Sequence, residues 1–224
     1  MMNRIYKYLF FAGLLLFVAN ITYSLIDKPG QALSPISHLF KKFPTQTWQN
    51  YDRYFQDFAT TEISASFLAA LAQSESGGNP LATVYWRWQW TKDIHKIFHP
   101  ASSALGMYQI TVGTFQRMKN YCWQKGVVKK QDCFWNQFRT RFSSYDSIYL
   151  VSAYLNHWVK KYPRYRDKEK MAALIHLCGP QKVKRHMRWH GNLNKITKCG
   201  THSTRRYVNK IKRYQNTFHR LAMN

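Results

Sequence analysis

The sequence predicts a mainly α domain with one small extended flap, preceded by an N-terminal hydrophobic segment. Three observations carry that prediction. Apolar residues recur at helical spacing over 63–71, 148–162 and 207–221; aromatic and polar residues alternate in "YWRWQWTK" (85–92); and two cations precede a long apolar run in "MMNRIYKYLFFAGLLLFVAN". The periods of 3.6 and 2 separate helix from strand because they are the spacings at which side chains return to one face.

In the first segment, Arg4 and Lys7 stand ahead of the apolar run Tyr8–Ala19, the order of an export signal. The run is short for a span of about 20 residues, although "ITYSLI" extends it through polar interruptions. A cleaved signal peptide and a retained membrane anchor both fit residues 1–27. The next stretch, 28–50, has three prolines and few periodic apolar positions, so it reads as a linker, leaving 51–224 as the domain.

Lys and Arg outnumber Asp and Glu by 34 to 10, a formal charge of +24, which attracts a polyanion: nucleic acid, an anionic membrane or an acidic wall polymer. Export removes nucleic acid from that set. The four cysteines fit an oxidising compartment, and Cys122 pairs most simply with Cys133 and Cys178 with Cys199, since each pair brackets a short segment. Four cysteines allow three connectivities. A zinc site lacks a closely spaced cysteine pair, and no other feature asks for a metal or cofactor.

Within the domain, Ile63, Phe67, Ala70 and Leu71 predict a buried helix over Glu62–Ser76, capped by Thr60 or Thr61, with Glu62 in its first turn. "TVGTFQRMKNYC" (111–122) reads as helix. So does Asp146–Tyr162, with Ile148, Val151, Leu155, Trp158 and Tyr162 on one face and Pro163 as its stop. "KMAALIHLCGP" is a short apolar helix closed by Gly179 and Pro180, and Thr204–Leu221 is a basic amphipathic helix with Tyr207, Ile211, Tyr214, Phe218 and Leu221 inward.

The stretch that asks for chemistry is "LAQSESGGNPLA" (71–82). A chain with three glutamates places one, Glu75, at the end of an apolar helix against two glycines, Asn79 and Pro80. The negative end of a helix and apolar neighbours both favour the neutral acid, which is what a general acid at a glycosidic oxygen must be. Nearby cations would oppose this only from within a few ångströms. A second carboxylate, which a glycosidase ordinarily needs, is hard to find. Glu62 would lie about 20 Å up the same helix, and Glu169 in "RDKEKM" reads as solvated. Asp93 is left as the one candidate, more simply read as a surface charge or cap. The census favours a mechanism with one carboxylate.

Four motifs in order, "AQSESGGNP", "SALGMYQIT", "SAYLNHW" and "RRYVNKI", resemble the soluble lytic transglycosylase domain, a lysozyme-like family that cleaves peptidoglycan, over about residues 60–215. The resemblance implies a lysozyme-like helical domain in which one glutamate protonates the glycosidic oxygen. The same glutamate then acts as base while the sugar's own 6-hydroxyl attacks, leaving a 1,6-anhydromuramic end. By that resemblance Glu75 is the acid and base and Ser76 lies beside it. Gly106, Met107, Tyr108 and Gln109 match the Gly-Leu-Met-Gln segment, Gln109 lines the groove, and Tyr207 matches the terminal Tyr-Val pair.

Two departures stand out. Where the family has Tyr-Asn-Ala-Gly, with a tyrosine aimed at the carboxylate, "HLCGP" puts His176 and Leu177, so His176 is either a substitute partner for Glu75 or a packed structural residue. The segment between Pro80 and Ala104 is longer and carries Tyr85, Trp86, Trp88 and Trp90, which either stack sugar rings or pack onto the core or a membrane. Three functions follow. The first is an exported lytic transglycosylase acting on peptidoglycan glycan strands, with possible inner-membrane association. The second is a lysozyme-type hydrolase on the same fold, with Asp93 or an unplaced residue activating water. The third is a non-catalytic wall- or membrane-binding protein.

Overall fold

From its N-terminus the chain runs through a 26-residue helix (α1, Met2–Asp27), a short turn of helix (α2, Ser34–Ser37) and a longer helix (α3, Pro44–Asp57) before the helix that ends at the candidate site (α4, Ala65–Ser76). A computed structural model describes residues 2–93, 96–124, 127–131, 133 and 135–223, the side chains of 2, 3 and 190 excepted. After α4 come a flap of two antiparallel strands, β1 (Trp86–Trp88) and β2 (Phe98–Pro100), then α5 (Val112–Met118) and the hairpin β3 (Tyr121–Gln124) and β4 (Val127–Lys130). The chain continues through α6 (Gln137–Phe142), α7 (Ser144–Lys160), α8 (Lys168–Cys178) and α9 (Pro180–His190). It closes with the hairpin β5 (Lys198–Cys199) and β6 (His202–Ser203) and with α10 (Thr204–Met223). The fold is mainly helical, as expected, with small two-stranded sheets and an apolar N-terminal helix.

The core forms around α4, where Phe67, Leu68, Ala69, Ala70, Leu71 and Ala72 are all buried because α10 and α3 cover the helix from different sides. Three alanines in that run let neighbouring backbones approach. Across the core, α7 buries Ile148, Val151 and Leu155, the predicted face, and α10 buries Val208, Ile211 and Phe218, with Tyr207, Tyr214 and Leu221 partly buried. Disulfides join Cys122 to Cys133 and Cys178 to Cys199, the simplest pairing, and each such loop adds about 2–3 kcal/mol by restricting the unfolded chain.

Several boundaries differ from expectation. The first turn of α4 is capped by Ser64, whose hydroxyl accepts from the Phe67 N–H, not by Thr60 or Thr61; the Thr60 hydroxyl accepts instead from the N–H groups of Glu62 and Ile63 in the preceding turn. Glu62 is therefore outside the helix and lies 3.8 Å from the Lys168 ammonium. Helix α5 ends at Met118, and Tyr121 and Cys122 belong to β3.

The largest correction concerns 28–50, which is folded onto the domain. Buried Gln31 donates from Nε2 to the Ala104 carbonyl (3.1 Å) and accepts the Val84 N–H at its Oε1 (3.1 Å), while Trp48 and Phe55 of α3 belong to the core. The prolines that suggested a linker sit in the first turns of helices: Pro29 in a short 3₁₀ turn, Pro35 in α2 and Pro44 in α3. There a missing N–H costs nothing and the fixed φ favours the helix. Pro180 does the same, starting α9 directly after Gly179 ends α8.

Candidate active site

Glu75 occupies the last turn of α4, and the break after it is built by two residues with positive φ, Gly77 (68°) and Gly78 (64°). A side chain at Gly78 would also strike Thr47, its Cβ falling 2.1 Å from the Thr47 hydroxyl. Glycine is needed there on both counts. Helix α3 and the residues before it fix this helix end from outside: the Thr47 hydroxyl donates to Gln73 Oε1 (2.7 Å), Gln73 Nε2 donates to the Lys42 carbonyl (3.0 Å), and the Lys42 N–H donates to the Gly77 carbonyl (2.8 Å). Ser76 is buried; its hydroxyl donates toward the Met107 carbonyl (2.8 Å) and accepts the Asn79 N–H (3.0 Å).

Two groups from α10 meet the Glu75 end of α4. The Tyr207 phenol donates a short hydrogen bond to Glu75 Oε1, and the Lys210 ammonium donates to the Ser74 carbonyl (2.6 Å). Lys210 places a positive charge at the negative end of the helix. Burial first, and then the neighbouring Glu75 carboxylate, push the Tyr207 hydroxyl well above its ordinary range, so it stays a donor at working pH. His176 Nε2 lies 3.7 Å from Glu75 Oε1 but 3.2 Å from the Tyr108 carbonyl. A carbonyl can only accept, so the Nε2 proton points to Tyr108. The Nδ1 atom is buried with no partner.

Opposite the helix end, residues 104–110 form a tight turn closed by the Leu105–Ile110 bridge. Gly106 (φ 75°) lies so close to α6 that a Cβ would come 1.7 Å from the Arg141 carbonyl. The buried Arg141 guanidinium donates to the Ser103 (2.8 Å) and Ile110 (3.2 Å) carbonyls, holding the turn at both ends. Gln109, a non-glycine residue at φ 49°, donates from Nε2 to the Gly106 carbonyl (3.0 Å).

Cavities of about 880 Å³ and about 600 Å³ meet at Ser74, Glu75 and Lys210, which line both. The β5–β6 hairpin, Arg206 and Tyr207 wall the first, and Ser76, Tyr85, Gln109 and residues of the 34–41 segment wall the second. Among the described residues, Glu75 is the one carboxylate lining either cavity.

The transglycosylase SLT domain model matches residues 54–198. The chain belongs to that family. No curated protein and no solved structure matches it. SLT domains are generally lytic transglycosylases, and membership implies peptidoglycan binding and cleavage of the lytic-transglycosylase type. The apolar N-terminal helix has the length and composition of a signal or anchor, and the two disulfides fit an exported SLT protein.

The sequence-predicted residues separate into two groups. Glu75, Ser76, Gln109 and Tyr207 line the cavities. Met107 and Tyr108 are fully buried, so their side chains face the core rather than a sugar; the Tyr108 hydroxyl donates to the Leu68 carbonyl (3.1 Å). Trp86 and Trp88 line neither cavity and pack on Phe98 with ring centroids 5.2 and 4.7 Å away, Trp88 also stacking on Phe17 of α1 at 5.8 Å. Asp93 pairs with Lys96 at 2.6 Å on the flap. Lys210 was missed, although its place three residues after Tyr207 puts it on the same face of α10 and so within reach of the same helix end. Tyr207 and Lys210 both lie beyond the matched residues 54–198.

Proposed function

We propose that this SLT domain cleaves the β-1,4 bond between N-acetylmuramic acid and N-acetylglucosamine in peptidoglycan without water, leaving 1,6-anhydromuramic ends. The observation that carries the reading is the isolation of Glu75: it stands where two cavities meet, and no second carboxylate lines either of them among the described residues. A hydrolase of the usual kind needs a partner carboxyl within about 10 Å across the bond. Glu62 is engaged with Lys168 and Asp93 with Lys96.

In the proposed reaction the two cavities hold saccharide on either side of the scissile bond. Tyr207 holds Oε1, which leaves Oε2 to carry the proton toward the glycosidic oxygen. That proton passes to the N-acetylglucosamine 4-oxygen as its bond to muramic C1 breaks. The muramic 6-hydroxyl then attacks C1 and returns its proton to Glu75, so the carboxyl ends as it began and no water is consumed. Gln109, with its Nε2 engaged by Gly106, presents its amide oxygen to a sugar hydroxyl or amide. The cationic wall, with Lys198, Arg206 and Lys210, attracts the carboxylates of the peptide stems.

The test is digestion of purified sacculi, with the released fragments weighed. Anhydro ends, one water lighter than hydrolysed ends, are expected with the wild-type chain, and Glu75→Gln should release none. Reducing ends from the wild type, or release by the Gln variant, would overturn the reading.

A further inference from the structure

Helix α1 is apolar around its circumference and touches the domain only near its end. Leu9, Phe10, Phe11, Leu15, Leu16 and Val18 are all exposed, and Arg4–Asp27 is long and apolar enough to cross a membrane. Two of its polar residues are the exceptions that dock. Asn20 and Ser24 are buried, and both address one residue of the flap: Asn20 Oδ1 accepts the Phe98 N–H (3.2 Å), and the Ser24 hydroxyl donates to the Phe98 carbonyl (3.4 Å). In the β1–β2 ladder the Gln89 N–H donates to Ile97 and the Ala101 N–H to Tyr85, so the backbone of Phe98 faces outward along the free edge of β2. Two polar side chains of α1 satisfy that edge.

At ~1.5 Å per residue, Phe17 lies about 20 Å along the helix from Arg4 and Ser24 about 30 Å, against about 30 Å of bilayer hydrocarbon. With Arg4 at one interface, Ser24 reaches the other. The stack of Phe17 on Trp88 and Phe98 then falls about 10 Å below it, seven residues at ~1.5 Å each, so exposed Trp88 enters the outer acyl region beneath the headgroups. A free strand edge is tolerated at that depth only if its N–H and C=O groups are paired, which Asn20 and Ser24 accomplish. Exposed Arg87 and Lys92 lie on the same flap, placed for anionic headgroups.

We propose that α1 is retained as a membrane anchor and that the β1–β2 flap, in its described residues 85–93 and 96–100, is a bilayer-contacting wedge docked on it, which sets the Glu75 groove directly above the lipid surface. The partner is the bilayer itself. Cleavage of α1 would strip the β2 edge of both polar partners and the flap of the Phe17 stack. Trp88 and Trp90 are thereby assigned to lipid rather than to sugar.

The test uses the full chain in phospholipid vesicles whose acyl chains are brominated near the headgroup, with bromine quenching of tryptophan emission as the readout. Replacing Trp88 and Trp90 together by Phe should remove more than half of the quenching, whereas Trp189→Phe, in the exposed part of α9, should leave it unchanged. The intact mass of chain recovered from membranes should include residues 17–27. Quenching unaltered by the double substitution would overturn the proposal. So would a recovered mass lacking α1, or α1 crosslinking to a second copy while the flap tryptophans stay unquenched. The measurement contains no glycan, so failure of the cleavage reading would not disturb it.

Discussion

At the N-terminal end of α4 the Glu169 carboxylate accepts from the Ser64 N–H (3.1 Å), the Ser64 hydroxyl (2.6 Å) and the Gln215 amide; at the C-terminal end Glu75 accepts from one phenol and opens onto two cavities. Both residues are glutamates beside the same helix. The first is tied by three donors at the positive end of the dipole, although it too lines a cavity, of about 450 Å³. The second stands at the negative end with one oxygen held. What separates a fastening carboxylate from a reacting one is therefore the number of donors already satisfied, not residue type, proximity to the helix or the presence of a cavity.

Substitutions at both ends can break this contrast. Glu75→Gln should abolish sacculus cleavage while thermal unfolding shifts little, because the amide oxygen still accepts from Tyr207. Tyr207→Phe should come next, with turnover falling on the order of 100-fold, the scale of one aligned catalytic hydrogen bond. Tyr207 also gives a pH signature. Its folded-state value is raised above the unfolded value of about 10, so its contribution to stability is complete below that pH and is lost as pH rises through the folded value. Melting temperature measured above about pH 10 should fall more steeply for wild type than for Tyr207→Phe.

Glu169→Ala should do the reverse of Glu75→Gln. Chemical denaturation should report a loss of about 1–3 kcal/mol from the stranded donors, while turnover per folded molecule is kept. Equal activity losses at Glu169 and Glu75 would erase the distinction. The smallest effect is expected at His176. Because its proton goes to the Tyr108 carbonyl rather than to Glu75, His176→Ala should lower turnover only a few-fold, through movement of the 104–110 turn, as steady-state rates on sacculi will show.

Glu75 was legible because helix, glycine pair and proline are local signals, and α7, α8, α10 and both disulfides could be read from spacing. The parts that hold Glu75 were harder to see. The segment 28–50 looked like a linker because proline ends a helix as readily as it begins one, and composition does not record which; Pro29, Pro35, Pro44 and Pro180 all begin helical turns here. Glu169 in "RDKEKM" looked solvated because its partners, Ser64 and Gln215, are distant in sequence. The resemblance places the tyrosine aimed at the carboxylate at position 176, where this chain has histidine, whereas the phenol comes from Tyr207 on α10. Trp86 and Trp88 carry the right composition for a sugar platform, but both pack on Phe98, and Trp88 stacks on Phe17 of the apolar helix α1.

The central claim is that one carboxylate, acting alone between two cavities, breaks the glycan without water. Digesting sacculi in water enriched with heavy oxygen measures this directly. The account predicts that wild-type chain releases anhydro-ended fragments with no heavy oxygen at the muramic anomeric carbon. Label at that carbon in enzyme-dependent product would contradict it, since it would mean that water, activated by a second base, had attacked.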